Sequence, residues 1–129
     1  MKWGIALARE LVTEGESLDI TVDHGEETAL VRLDGRLGID SSRILRDRLL
    51  AILQEQPPKT VIVDLAEVSF IDAAGIATLL EALKIARHRQ VTLCLKGLEG
   101  RTLRLFEVTG LLTVFETTNC KDPAKVEVN

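Results

Sequence analysis

The sequence predicts a single α/β domain, a mixed sheet of about five strands with helices packed against it. Residues 18–33 alternate apolar and polar side chains about a turn, which is the pattern of a hairpin with one buried face. Val61-Ile62-Val63-Asp64-Leu65 is a short β-branched run of the kind covered on both faces. Segments of helical periodicity separate the later strands, as parallel pairing requires.

Taken in order, Trp3, Leu7 and Leu11 recur at steps of four with Ile5, Ala8 and Val12 beside them. Residues 1–15 therefore read as an N-terminal extension, either a weak amphipathic helix ended by Gly15 or a partly ordered arm. Leu18, Ile20 and Val22 then alternate with Asp19, Thr21 and Asp23. After the turn-like His24-Gly25-Glu26-Glu27, Ala29, Val31 and Leu33 form the apolar side of a second strand, closed by Asp34-Gly35. Gly38-Ile39-Asp40-Ser41-Ser42 offers N-cap candidates for a helix carrying Leu45, Leu49, Ile52 and Leu53, and Pro57-Pro58 stops it.

The central strand at residues 61–65 leads through a connection at 67–71 to Asp72-Ala73-Ala74-Gly75, which opens a helix with Ile76, Leu79, Leu80 and Leu83 inward. Lys84, Arg87, His88 and Arg89 gather at its far end, where cations complement the helix dipole. Val91 to Leu95 predicts a strand, Arg101 to Val108 a helix closed by Gly110, and Thr113-Val114-Phe115 a last strand. The domain is expected to span residues 16–117, with 118–129 a polar tail containing Pro123.

Composition narrows the function. The 129 residues, 46% hydrophobic and 28% charged, suit one domain with an adequate core and no need of metal or disulfide support. Sixteen basic residues against twenty acidic ones give a net charge of -4, which leaves no surplus of cations for a phosphate backbone, so no nucleic acid partner is expected. Aromatics at 3% exclude base-stacking platforms. Cys94 lies within the apolar run Val91-Thr92-Leu93-Cys94-Leu95 and reads as a buried free thiol, which fits a reducing cytoplasm. Neither a leader nor a membrane insertion is expected, since no apolar run is long enough.

His24 and His88 have no cysteine at ligand spacing, so no metal and no cofactor is expected. There is no phosphate-binding glycine loop, dinucleotide fingerprint or nucleophile elbow, and accordingly no catalytic residue to name. What remains is the start of the second helix. Asp72 is placed to cap it, and Ala73, Ala74, Gly75 and Ala77 make a low-relief patch that another protein can approach. Small residues at a helix start also let the helix pack tightly on its sheet, and periodicity alone does not separate the two readings.

Four stretches occur in matching order: Leu33-Asp34-Gly35-Arg36-Leu37, the strand Val61 to Leu65, Phe70-Ile71-Asp72-x-x-Gly75 with Leu79 following, and Leu105-Phe106-Glu107-Val108-Thr109-Gly110-Leu111. Over Leu18 to Phe115 the chain thereby resembles the STAS domain of bacterial anti-sigma-factor antagonists, a domain also found in sulfate transporters and other regulators. The resemblance implies a non-enzymatic signalling module in transcription regulation, cytoplasmic, that binds an anti-sigma factor or a serine-kinase-like regulator. The implied partner surface comprises Asp72, Ala73, Ala74, Gly75, Ala77, Thr78, Gly38 and Asp40.

The family commonly carries a phosphorylated serine or threonine just after the signature Asp. A phosphate there adds close to two negative charges at a helix N-terminus and partner interface. Here the equivalent residue is Ala73, followed by Ala74, and neither has a hydroxyl to phosphorylate. The acidic residue that many antagonists place after the first glycine turn is displaced to Asp40, in position to cap the next helix. The nearby hydroxyls of Ser69 and Thr78 read as structural. An alternative expectation is a structural STAS subunit of a transporter or larger signalling assembly, in which the Trp3-Leu7-Leu11 stripe is an assembly helix or homodimer contact, or equally a helix folded on its own domain.

Overall fold

The computed structural model describes residues 8–11, 18–55 and 57–116. Its strands β1 (Ala8–Leu11), β2 (Leu18–His24), β3 (Thr28–Leu37), β4 (Thr60–Ile71) and β5 (Thr92–Lys96) lie side by side in that order in one sheet. The hairpin forms as the alternation dictates: β2 (Leu18–His24) pairs antiparallel with β3 (Thr28–Leu37), with Val22 opposite Val31 and His24 opposite Ala29. The turn is closed by the Gly25 amide donating to the Thr28 carbonyl at 2.8 Å.

β1 (Ala8–Leu11) corrects the expected N-terminal helix where it is described, because these residues add an antiparallel edge strand to β2, Ala8 opposite His24. A helix of so few turns is marginal by itself, and an open strand edge supplies hydrogen bonds along the whole segment. The rest of the expected 1–15 extension, and the tail, lie outside the described residues.

The helix after β3, α1 (Ser42–Gln54), buries Leu45, Leu49, Ile52 and Leu53 along one stripe. It crosses over the sheet so that β4 (Thr60–Ile71) runs parallel to β3. Val61, Ile62 and Val63 are fully buried, as the β-branched run predicts for a central strand. Both strands are longer than expected. β3 does not close at Gly35, and residues 67–71 are strand rather than connection; the two strands stay paired as far as Leu37 and Ile71, and register shifts between Arg32/Asp34 and Gly35/Arg36 absorb the polar residues.

α2 (Ala73–His88) returns across the same face, burying Leu79, Ala82, Leu83 and Ala86, and leads to the parallel strand β5 (Thr92–Lys96). Its C-terminus is a double hydrogen-bonded cap: the Val91 amide donates to the Ala86 carbonyl at 2.8 Å and the Gln90 amide to Arg87 at 3.1 Å, with Gln90 held at φ +62°. Arg46 on α1 grips Glu81 on α2 through Nε to Oε1 at 2.9 Å and Nη2 to Oε2 at 3.1 Å. That hydrogen bonding, reinforced by the Glu81 charge, raises the Arg46 pKa above its ordinary value.

α3 (Gly100–Val108) follows β5, and α4 (Leu111–Glu116) replaces the expected strand at Thr113-Val114-Phe115. A run of three residues does not distinguish strand from helix. Here the helix wins because Phe115 is thereby turned onto Phe106, ring centroids 5.9 Å apart, and both rings are buried in the core. The fifth strand of the sheet is thus β1, beside β2, and not residues 113–115.

The main core lies between α1, α2 and one face of the sheet, with Ile20, Val22, Val31, Leu33, Val63, Leu79 and Leu93 fully or almost fully buried. Each such side chain contributes about 1.5–3 kcal/mol relative to exposure. On the opposite face Leu30, Ile62 and Cys94 form a separate small cluster. Cys94 is disulfide-bonded, which corrects the free-thiol reading, and it lies in this small cluster away from the helix-covered core. Among the described residues no helix is long and apolar enough to cross a membrane.

Candidate functional site

β3 and β4 end side by side, Leu37 opposite Ile71, and so deliver Gly38 and Asp72 to the same edge of the domain. The Asp72 amide donates to the Leu37 carbonyl at 3.2 Å, which fixes where the chain leaves the sheet. Asp72 is extended (φ -121°, ψ -171°) and is the N-cap of α2. Its Oδ1 accepts the amides of Ala74 at 2.9 Å and Gly75 at 3.2 Å, satisfying donors that the first helical turn leaves without partners. Its Oδ2 accepts the Ile39 amide at 3.2 Å, so one carboxylate fastens two loops.

Two glycines are dictated by this closeness. A Cβ on Gly75 would lie 2.6 Å from the Leu37 carbonyl oxygen, and one on Gly38 2.8 Å from Asp72 Oδ2. The β3–α1 loop is braced from inside by Ser41, whose hydroxyl donates to the Arg36 carbonyl at 2.7 Å and accepts the Gly38 amide at 3.1 Å. Ser41, not Asp40, occupies the N-cap position of α1, and its side chain serves the loop instead of the helix. Asp40 is left exposed at the rim.

The predicted site residues therefore separate by role. Asp72, Ala73, Ala74, Gly38 and Asp40 come together at this edge, and Ala77 lies one turn along α2, exposed like Ala73. Gly75 and Thr78 are buried, Gly75 against Leu37 and Ile71 of the sheet, so the structure removes both from the accessible surface. Ser69 is exposed, with its hydroxyl donating to the Gly35 carbonyl at 3.3 Å.

Sequence reasoning missed three residues that shape the same edge. Ile39 is 76% exposed at the tip of the β3–α1 loop, and Phe70 is 38% exposed at the end of β4. The Arg36 guanidinium sits over the Phe70 ring, 4.2 Å from its centroid. With Gly38, Asp40, Ser41 and Asp72 these residues line a shallow depression of about 200 Å³. An apolar residue between Gly38 and Asp40 in a turn was the available signal for Ile39. A larger hollow of about 870 Å³ lies at the far end of the sheet, between the β2–β3 turn and the α1–β4 connection, away from Asp72.

The Asp72 carboxylate is committed to three amides, and among the described residues no three His, Cys, Asp or Glu side chains lie close enough to hold a metal ion. What this edge offers a partner is a flat alanine surface at a helix N-terminus, bordered by an isoleucine and a cation-covered phenylalanine.

Comparison with known proteins agrees with this architecture. Residues 20–116 match the family model described as "Mlab, STAS domain". An "Anti-sigma-B factor antagonist" of Listeria monocytogenes is 46% identical over 57 residues, covering 44% of this chain and 50% of that protein. The chain thus spans about half the length of that curated relative. The "Anti-sigma-B factor antagonist" of Bacillus subtilis is 24% identical over 100 residues, 78% of this chain and 90% of that one. Among solved structures, an anti-sigma factor antagonist from Mycobacterium paratuberculosis superposes with a TM-score of 0.66 at 18% identity, covering 80% of this chain and 86% of that one. That identity speaks to the fold alone. The family match over three quarters of the sequence, on a sheet and helix order that agrees with it, makes this chain a member of the Mlab STAS-domain family.

Proposed function

We propose that the chain is a non-enzymatic regulatory module that acts as an anti-sigma-factor antagonist, docking an anti-sigma factor or serine-kinase-like regulator at the edge built around Asp72. The relatives described as anti-sigma factor antagonists support this reading. The single observation that carries it is the Asp72 carboxylate holding the Ile39 loop against the start of α2, because the exposed residues Ile39, Phe70, Ala73 and Ala77 all lie on the elements that end or begin at this clasp.

Ala73 is exposed at the first turn of α2 and has no hydroxyl, so this surface does not acquire a phosphate at the usual position. Binding is then governed by the abundance of the partner and by competition for it, not by a charge placed at residue 73. Gly75 and Thr78 support the surface from beneath.

The test is parallel capture from a lysate of the source organism with the natural chain and Ala73→Glu as baits. The expected result is an anti-sigma factor or kinase-like ATPase retained by the first and lost by the second, because the new charge is desolvated in the contact. Equal retention of transporter subunits or of other STAS proteins by both baits would instead support a scaffold role, with contacts away from Asp72.

A further inference from the structure

We propose that Arg36, held over the Phe70 ring, is the anchor for a carboxylate of the docking partner, which therefore meets this edge with an aspartate or glutamate side chain beside an apolar one; this rests on the docking role proposed for the Asp72 edge and adds the chemistry of what docks there. Arg36 and Phe70 are register partners at the end of the β3–β4 ladder, next to Leu37 and Ile71. The guanidinium carbon lies 4.2 Å from the ring centroid, within the range where an aromatic face attracts a cation. A cross-strand pair of this kind is placed by the sheet and not by the loop that follows it.

The ring attracts the charge but leaves the hydrogen-bonding capacity of the group unused. A guanidinium carries five N–H donors in one plane and no acceptor. Among the described residues the ring contact is the one interaction of the Arg36 side chain, whereas Arg32 and Arg46 hold Asp23 and Glu81. Arg36 is exposed, so its donors face water in the free chain. Already seated on a ring, it gives up less rotamer freedom on binding than an unattached surface arginine, and a carboxylate matches its fork with two parallel hydrogen bonds.

Size and charge select the occupant. The depression that Arg36 lines measures about 200 Å³, below the roughly 300–1,000 Å³ of sites that enclose small-molecule ligands. It suits the end of a side chain projecting from another protein. Asp40 and Asp72 line the same depression and neither pairs with Arg36. A phosphate, with close to two negative charges, is repelled by both, and a carboxylate carries one charge only. Ile39, 76% exposed in the same lining, supplies an apolar contact beside the cation. Water excluded by that contact makes the ion pair count for more than one at an open rim.

The test uses the full chain and, as purified protein, the partner that the natural chain retains from a lysate and Ala73→Glu releases. Arg36→Ala and Arg36→Glu are expected to weaken binding about 30-fold or more in titration calorimetry, and Arg36→Lys about tenfold because a point charge replaces the fork, with thermal midpoints unchanged. The Arg36→Lys complex is then treated with a water-soluble carbodiimide, which joins an amine to a carboxylate in contact with it. The expected product is a cross-link from position 36 to an Asp or Glu of the partner, and replacing that acid with Lys is expected to restore binding to Arg36→Glu. Undiminished affinity of Arg36→Glu, or a cross-link from position 36 only to this chain itself, would overturn the carboxylate anchor and leave the docking edge standing. A lysate with no protein released by Ala73→Glu would remove both.

Discussion

The Asp72 carboxylate accepts the backbone amide of Ile39 at 3.2 Å, across a sequence separation of 33. The same side chain caps α2 through Ala74 and Gly75, so the geometry of the helix start and that of the exposed loop are one quantity. Replacing Asp72 with Ala is expected to lower unfolding free energy by about 2 kcal/mol, the upper end for a lost N-cap, because a second loop is released with it. Asp72→Asn keeps an acceptor for α2 but turns a donor toward Ile39. Denaturant unfolding should then show a smaller loss, while amide exchange at Ile39 accelerates. Unchanged exchange at Ile39 in both variants would refute the coupling of the two loops.

Ile39 itself is expected to matter to binding and not to folding. At 76% exposure, Ile39→Asp should change stability by less than about 0.5 kcal/mol. Affinity for the partner should fall about tenfold or more if the isoleucine is an apolar anchor. Titration calorimetry alongside a thermal melt separates the two effects, and parallel losses in both would point to damage of the loop instead of the contact.

Gly75→Ala tests the packing of α2 on the sheet. The added methyl would sit 2.6 Å from the Leu37 carbonyl oxygen, which cannot withdraw without moving β3, and 2.8 Å from the Cγ of the buried Leu37 side chain. A destabilisation of about 1–3 kcal/mol is expected, against the small gain that alanine normally brings to a helix interior. A neutral or stabilising result in urea unfolding would contradict the close approach.

The left-handed cap of α2 predicts a gain. Gln90 holds φ +62° while its amide and that of Val91 close the helix end. Glycine adopts this conformation without the steric penalty of a side chain, so Gln90→Gly should raise stability by about 0.5–1 kcal/mol. A shift of the denaturation midpoint to higher urea with an unchanged slope is the expected signature.

Much of the fold was legible because burial imposes a period. Leu45, Leu49, Ile52 and Leu53 recur at helical spacing, Val61 to Val63 form an unbroken β-branched run, and each was assigned to the element that the structure shows. The errors fall where the chain is short or locally ambiguous. Ala8–Leu11 and Leu111–Glu116 have too few residues to express a period, and their conformation is decided by a strand edge and by the Phe106–Phe115 contact respectively. The polar residues Asp34, Glu67 and Ser69 concealed the length of β3 and β4, since paired strands accept them on the solvent side.

The site was legible in part for the same reason. Asp72 and the alanines after it stand in a local motif, and a cap is a local interaction. The Ile39 contact and the Arg36 guanidinium over Phe70 are tertiary, joining β3 and its following loop to β4, and a local pattern carries no trace of them. Thr78 and Gly75 were misplaced on the surface because helical phase is uncertain in a run of small residues with few large apolar ones to set it.

The crossover between β3 and β4 has a kinetic consequence. The β2–β3 hairpin joins neighbours in sequence, down to His24 opposite Ala29, whereas Thr28 meets Thr60 only after α1 has closed a long loop between them. Loop closure of that size makes the parallel pairing the slow event, and the hairpin the early one. The Asp72–Ile39 clasp straddles this late event, so the proposed docking edge is not assembled on nascent or partly folded chains. A partner that needs both loops is thus blind to immature copies and captures finished ones, and by mass action it holds them folded.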